Sequence, residues 1–114
     1  STTQLEYNED LLPTGNTHTD VRFEDGCSLK GVELDNSFRL PDSGGVCRLS
    51  GNNITLEIRP DAGYPVLQLY IPPERESIAI ENLSGAPDNF NNGIGLIWLQ
   101  PGEKCAFRTS YQVK

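Results

Sequence analysis

Residues 46–58, VCRLSGNNITLEI, hold two alternating segments around a short turn, and this pattern decides the fold class. In the second segment, apolar residues at 54, 56 and 58 alternate with polar residues at 55, 57 and 59, which is the period of a β-strand with one buried face. Between the segments lie Gly51, Asn52 and Asn53, residue types that tolerate positive φ. The stretch therefore predicts a β-hairpin.

The same period of two runs through most of the remaining chain. It predicts a strand at the start, over residues 2–9, that looks as if it belongs to a larger sheet, and then a tight turn over residues 11–15. Further strands are predicted at residues 21–23, 38–40, 66–71, 77–82, 95–99 and 105–113. No stretch has the period of a helix. Short strands separated by Gly, Pro and Asn predict an all-β fold, an antiparallel β-sandwich, with residues 1–114 in one domain.

Composition limits the classes of partner. The chain has 114 residues, enough for one modest core, and a net charge of −7 with its basic residues scattered singly. We therefore expect neither nucleic acid nor an anionic membrane surface as a partner. No apolar run reaches the length of a membrane span. The chain begins at Ser1 without a Met, so we expect its true N-terminus to lie upstream or to have been removed.

Cys27, Cys47 and Cys105 are an odd number of cysteines without a C-x-x-C spacing. This pattern argues against a zinc site and against a complete disulfide framework, so we expect three reduced, partly buried thiols. We expect no metal and no cofactor. A cytoplasmic location is favoured over secretion.

Several motifs carry a resemblance to a known family. Glu81 stands alone after the apolar run Ile78-Ala79-Ile80, a Pro-Asp-x-x-Asn segment begins at Pro87, and residues 99–103 read LQPGE before a final alternating strand. Earlier in the chain are LPTG at residues 12–15, VELDNSF at 32–38 and PVLQLY at 65–70. In this order and spacing the chain resembles the aldose 1-epimerases, also called galactose mutarotases.

The resemblance assigns roles to three residues. Glu81 takes the position of the catalytic base, Asp35 that of a residue binding sugar hydroxyls, and Gln68 that of a substrate contact. It implies that the chain is the C-terminal part of a mutarotase-like supersandwich that interconverts the α and β anomers of a hexose. The family's two His residues and an Arg come from a longer N-terminal portion, so we expect that portion as a partner.

The residues themselves are compatible with this chemistry but do not require it. Mutarotation needs a base at the anomeric hydroxyl and an acid at the ring oxygen. Glu81, beside apolar neighbours, could be partly removed from water, an environment in which Glu works in proton transfer. Each candidate also has a simpler interpretation: Glu81 as an exposed strand-end residue, Asp35 as a turn former, and Gln68 as a cross-strand hydrogen-bonding partner.

Two other residues have a bearing on the chemistry. His18, the only histidine, lies in a polar stretch between two threonines, and we expect it to face solvent without acting as the acid. Trp98, between Ile97 and Leu99, could stack on a sugar ring as Tyr64 and Tyr70 could, but its apolar neighbours favour a core position.

Two alternatives to an enzyme remain open at the level of sequence. One is a non-catalytic carbohydrate-binding or structural β-sandwich module that has kept the fold and lost the acid. The other is a secreted adhesion module, which has only the composition to support it. Two histidines encoded upstream of Ser1, on strands of the same sandwich, would distinguish the enzyme from the first alternative.

Overall fold

The structure, a computed structural model, describes residues 2–114 and consists of strands with one short helix. In chain order the elements are β1 (Thr2–Tyr7), β2 (Pro13–Asp20), β3 (Asp35–Arg39), β4 (Cys47–Gly51), β5 (Ile54–Pro60), β6 (Val66–Tyr70), β7 (Ala79–Leu83), α1 (Asn89–Asn92) and β8 (Thr109–Val113). They form two antiparallel sheets that pack together, so the prediction of an all-β antiparallel sandwich is confirmed.

The larger sheet has the strand order β2-β1-β3-β6-β7. Its register places Ser37 of β3 opposite Gln68 of β6, and Gln68 opposite Glu81 of β7. Directly opposed residues point to the same face of a sheet. The register therefore sets which polar side chains meet.

The smaller sheet has the order β4-β5-β8, and the predicted hairpin forms its first two strands. At the turn Asn52 has φ 51° and Asn53 has φ 61°. Two successive positive φ values are what a two-residue type I′ hairpin turn requires, and Asn adopts them more readily than most residues. The turn residues thus favour the observed register.

One core lies on the face of the larger sheet that meets the smaller sheet. Its buried members are Leu34, Phe38, Leu67 and Leu69, and Cys47 of the smaller sheet packs against them. The edge-to-face contact between Phe23 and Phe38, with ring centroids 5.4 Å apart, closes one side.

A second, smaller core lies on the opposite face of the larger sheet. It consists of the buried residues Leu5, Val66 and Ala86, with Leu83 and Ile94 packed against it. Residues 84–96, which include α1, follow β7 and fold over this face. The larger sheet therefore has both faces covered in part, and the functional candidates lie beside the second core.

Several sequence predictions are wrong in detail. Residues 21–23 form a turn, because the buried carboxylate of Asp20 accepts a hydrogen bond from the backbone N–H of Arg22 and binds its guanidinium. The predicted turn at residues 11–15 comes earlier, since the Asn8 side chain accepts hydrogen bonds from the N–H groups of Asp10 and Leu12. Pro13 already belongs to β2.

Three further errors lie near the C-terminus. Residues 95–99 form no strand, because Gly95 has φ 73° and the N–H of Leu96 bonds back to Gly93 in a turn. Trp98, expected in the core, is 81 % exposed. The last strand begins at Thr109, four residues later than predicted. Within residues 2–114, no helix is long and apolar enough to cross a membrane.

Candidate functional site

The structure brings Asp35, Gln68 and Glu81 to one face of the larger sheet. Gln68 and Glu81 are direct cross-strand partners. Asp35 lies two residues before Ser37, the partner of Gln68 on the other side, so it points to the same face. Three residues separated by up to 46 positions in the chain are thus neighbours because three adjacent strands carry them in register.

A chain of hydrogen bonds crosses this face. The Nε2 amide of Gln68 donates to Oδ1 of Asp35 at 2.8 Å. The Oε1 oxygen of the same amide accepts a hydrogen bond from the hydroxyl of Ser37, and Ser37 is also bonded to the hydroxyl of Tyr7. Gln68 therefore does have the cross-strand partner that its simpler interpretation predicted.

Exposure differs among the three candidates. Gln68 is partly buried, whereas Asp35 and Glu81 are exposed. The expectation that Glu81 would be partly removed from water is wrong for this chain by itself, because neither its cross-strand partner nor residues 84–96 cover it. The carboxylates of Asp35 and Glu81 are accessible to a ligand from solvent.

A cleft of about 440 Å³ is lined by Asp35 and Gln68 but not by Glu81, which lies on the next strand of the same face. This volume lies within the usual range for small-molecule sites. The cleft is lined by side chains of β1 and β3, by Gln68 and by residues from two loops, among them Tyr7, Leu11, Asp35, Asn36 and Pro87.

Residues 84–96 hold one wall of the cleft through their own hydrogen bonds. Nδ2 of Asn92 donates to the carbonyl oxygen of Pro87 at 2.8 Å, and Oδ1 of Asn92 accepts from the N–H of Ile94 at 2.8 Å. The N–H of Ala86 bonds to the carbonyl oxygen of Ile94. Asn92 thus holds Pro87 in place at the cleft.

His18 is exposed, as expected, and it also belongs to the lining of the cleft. Its position on β2 pairs it with Gln4 of β1. The expectation that it takes no part in the chemistry stays a prediction. Within the described residues, no group of three His, Cys, Asp or Glu side chains is arranged to hold a metal ion.

The electrostatics of the cleft are clearest at Tyr7. Burial raises the pKa of the Tyr7 hydroxyl, the hydrogen bond with Ser37 opposes this, and the negative charge of Asp35 raises it further. Tyr7 therefore stays protonated at neutral pH and is available as a hydrogen-bond donor.

Comparison with known proteins identifies the family. The family model described as aldose 1-epimerase matches residues 1–112. The chain belongs to the aldose 1-epimerase family. A search among curated proteins found no match.

Membership of the aldose 1-epimerase family confirms the resemblance seen in the sequence, but the roles of Glu81, Asp35 and Gln68 stay predictions. Sequence reasoning missed Tyr7 and Ser37. In the sequence, Tyr7 and Ser37 are distinguished only by their positions in alternating segments, and no motif assigns either of them a role in binding. Their relation to Gln68 depends on strand pairing over 30 residues or more, which local patterns do not encode.

The three cysteines are free in the structure. Cys27 and Cys47 are partly buried, as expected, whereas Cys105 is exposed. Burial raises the pKa of the Cys47 thiol, so this thiol stays protonated at neutral pH.

Proposed function

We propose that the chain is the C-terminal part of an enzyme that interconverts the α and β anomers of a hexose. The observation that carries the proposal is the grouping of Asp35, Gln68 and Glu81 on one face of the sheet, with Asp35 and Gln68 lining a cleft, in a chain of the aldose 1-epimerase family. Two carboxylates and an amide at neighbouring positions match what a neutral, polyhydroxylated ligand requires.

In this proposal Glu81 is the base. It removes the proton from the anomeric hydroxyl while an acid protonates the ring oxygen, and the bond between C1 and the ring oxygen breaks. Rotation about the bond between C1 and C2 then exposes the other face of the aldehyde. When the ring closes again, the proton transfers run in reverse and the opposite anomer forms.

Asp35 and Gln68 hold the sugar during this sequence. The Oδ2 oxygen of Asp35 has no partner among the hydrogen bonds of the described residues and accepts a sugar hydroxyl. The Gln68 amide uses one hydrogen on Asp35 and offers the other to the ligand. Directional contacts of this kind hold the anomeric carbon close to Glu81.

The acid is proposed to come from the N-terminal portion expected as a partner. Support for a covering partner comes from the inner face of the smaller sheet. There Tyr111 and Val113 are 69 % and 70 % exposed, although they lie opposite the apolar residues Ile58 and Leu56 of β5. A groove of about 910 Å³ with many apolar lining residues also lies between the sheets. An apolar surface of this extent favours coverage by another part of the protein.

The experiment is polarimetry of freshly dissolved α-D-glucose and α-D-galactose. The 114-residue chain by itself is expected to give no mutarotation above buffer, since losing a positioned acid costs about 10²–10⁴-fold in rate. Adding the N-terminal portion is expected to restore activity. Glu81→Gln should abolish it again, because an amide of the same size cannot accept the proton.

The matched control is Glu76→Gln, which changes an exposed Glu outside the strands and should leave the rate unchanged. Full activity of the Glu81→Gln enzyme would refute the role of the base. An active isolated chain would instead mean that the acid lies within these residues, and His18 at the cleft would be the first candidate. Hexose binding without activity in the complete protein would favour the non-catalytic carbohydrate-binding module.

A further inference from the structure

Ser37 is the most deeply buried polar residue at the site, and its hydroxyl joins two cleft residues. It is 0 % exposed, at the centre of β3. Its Oγ atom contacts both the hydroxyl of Tyr7 and the Oε1 oxygen of Gln68. A buried hydroxyl with two partners is satisfied, and removing either partner loses one of its two hydrogen bonds at a cost in free energy.

The chemistry of these groups fixes the direction of each hydrogen bond. An amide oxygen only accepts, so the Ser37 hydroxyl donates its single hydrogen to Gln68. Ser37 then has no hydrogen left for Tyr7 and accepts one from it. Tyr7 can donate because its hydroxyl is protonated at neutral pH, and burial raises its pKa further. The order is therefore Tyr7 to Ser37 to Gln68 to Asp35.

The Asp35 carboxylate selects the orientation of the Gln68 amide, and the bond from Ser37 is compatible only with that orientation when Tyr7 donates to Ser37. Rotating the amide by 180° would place its NH₂ group against the Ser37 hydroxyl and its oxygen against the Asp35 carboxylate. The second contact would put two acceptors together. Oε1 is thus held toward Ser37, and Nε2 lies on the side of Asp35.

We propose that Tyr7 and Ser37 are positioning residues that hold Gln68 with its N–H group toward the sugar. The inference rests on the proposed function and adds a specificity rule to it. A sugar oxygen that faces Gln68 must accept a hydrogen bond from its amide, and a sugar hydroxyl that faces Asp35 must donate one to its carboxylate. A single hydroxyl group that does both satisfies the pair, whereas a hydrogen or fluorine in its place leaves at least one partner unsatisfied.

The test follows galactose binding to the complete protein, the chain together with its N-terminal portion, and the side-chain amide resonances of Gln68 by NMR. In the wild type, the Gln68 amide is expected to exchange slowly with solvent. Ser37→Ala should speed that exchange and weaken galactose binding about 10-fold, the effect of losing one buried partner. Tyr7→Phe keeps the bond from Ser37 to Gln68, so its effect should be smaller, about 3-fold.

The double variant should bind no more weakly than Ser37→Ala, because Tyr7 acts on Gln68 only through Ser37. Ser50→Ala is the matched control, since its hydroxyl is bonded to Thr55 at 2.8 Å in the other sheet. Tyr7→Phe keeps the ring, so it tests the inference if Ser37→Ala does not fold. Binding and Gln68 exchange that neither variant changes would overturn the inference alone. Galactose that does not bind the wild-type complete protein would overturn the proposed function.

Discussion

Gln68 makes two hydrogen bonds within the protein and still has one amide hydrogen to offer. This explains why the structural and functional interpretations of the residue do not compete. The bonds to Ser37 and Asp35 satisfy a partly buried amide and, at the same time, orient it. A polar side chain at a binding site is selective only when other groups fix which of its atoms faces the ligand.

Asp35 offers a test at the scale of one residue. In the complete enzyme, Asp35→Asn should raise KM about 10-fold with a much smaller change in kcat, because the residue binds sugar and transfers no proton. The Asn oxygen must stay toward the Gln68 amide, so its NH₂ group would replace the acceptor that the sugar needs.

The measurement is the steady-state rate of mutarotation at several galactose concentrations. Asp42→Asn is the control, because Asp42 is also exposed and lies in a loop that does not line the cleft. A fall in kcat with KM unchanged would contradict the binding role of Asp35.

At the scale of the elements, the smaller sheet is held on its outer face by a charge cluster. Glu57 of β5 is 1 % exposed and lies between Arg48 of β4, Arg59 of its own strand and Lys114 after β8. Burial by itself would raise the pKa of Glu57, but hydrogen bonds from Arg59, Arg48 and Lys114 outweigh it and lower the pKa to about 2. One carboxylate thus links all three strands.

This cluster predicts a pH dependence of stability. Since the pKa of Glu57 falls from 4.5 to about 2 on folding, its contribution is fully present above pH 4.5 and is lost as the pH falls toward about 2. The difference in unfolding free energy between the wild type and Glu57→Gln should therefore be constant near neutral pH and shrink below pH 4.5. Urea unfolding at a series of pH values measures it, and a difference that does not vary between neutral pH and pH 2 would refute the assignment.

At the scale of the whole molecule, the two sheets enclose their shared core only in part. The inner face of the smaller sheet extends beyond the contact in which Asn82 donates to Thr109 at 3.1 Å. Beyond that point β8 has no cover among the described residues, and Trp98 and Phe90 are also exposed, at 81 % and 88 %. The exposed apolar residues of β8 and of the C-terminal loops are therefore arranged like one side of a hydrophobic core whose other side would belong to the proposed partner.

The proposed covering partner can be tested on β8. Tyr111→Ser and Val113→Ser should change the stability of the isolated chain by less than about 0.5 kcal/mol, because both side chains are mostly exposed there. In the complete protein each should cost about 1–3 kcal/mol, since the partner would bury them. Gln112→Ser, on the other face of the same strand, is the control. Equal, small effects in both proteins would argue against a partner on this face.

Local sequence patterns predicted most of the strands. The alternation at residues 54–58 and the Gly-Asn-Asn turn before it specify a hairpin without reference to the rest of the chain. The strand predicted at residues 95–99 is wrong. Consecutive apolar residues are compatible with a strand, but a strand also needs a neighbour with free backbone groups to pair with. The backbone at Gly95 turns instead.

The residues of the candidate site likewise fall into those that the sequence predicted and those that only the structure showed. The family motifs single out Glu81, Asp35 and Gln68 because each lies within a short recognisable segment of the chain. Tyr7 and Ser37 carry no such motif, and their importance comes from register alone. The sequence also could not predict that Glu81 and Trp98 are exposed, because exposure depends on which segments of the chain pack against a residue.

The sequence by itself determined the all-β class, the hairpin, the family and three candidate residues, because these depend on residue type, period and spacing along the chain. Only the tertiary structure decided that Ser37 joins Tyr7 to Gln68, that Pro87 borders the cleft and that the inner face of β8 lies open. Hydrogen-bond direction, burial and surface coverage arise between strands distant in sequence, and pairing of those strands is what brings the groups within contact distance.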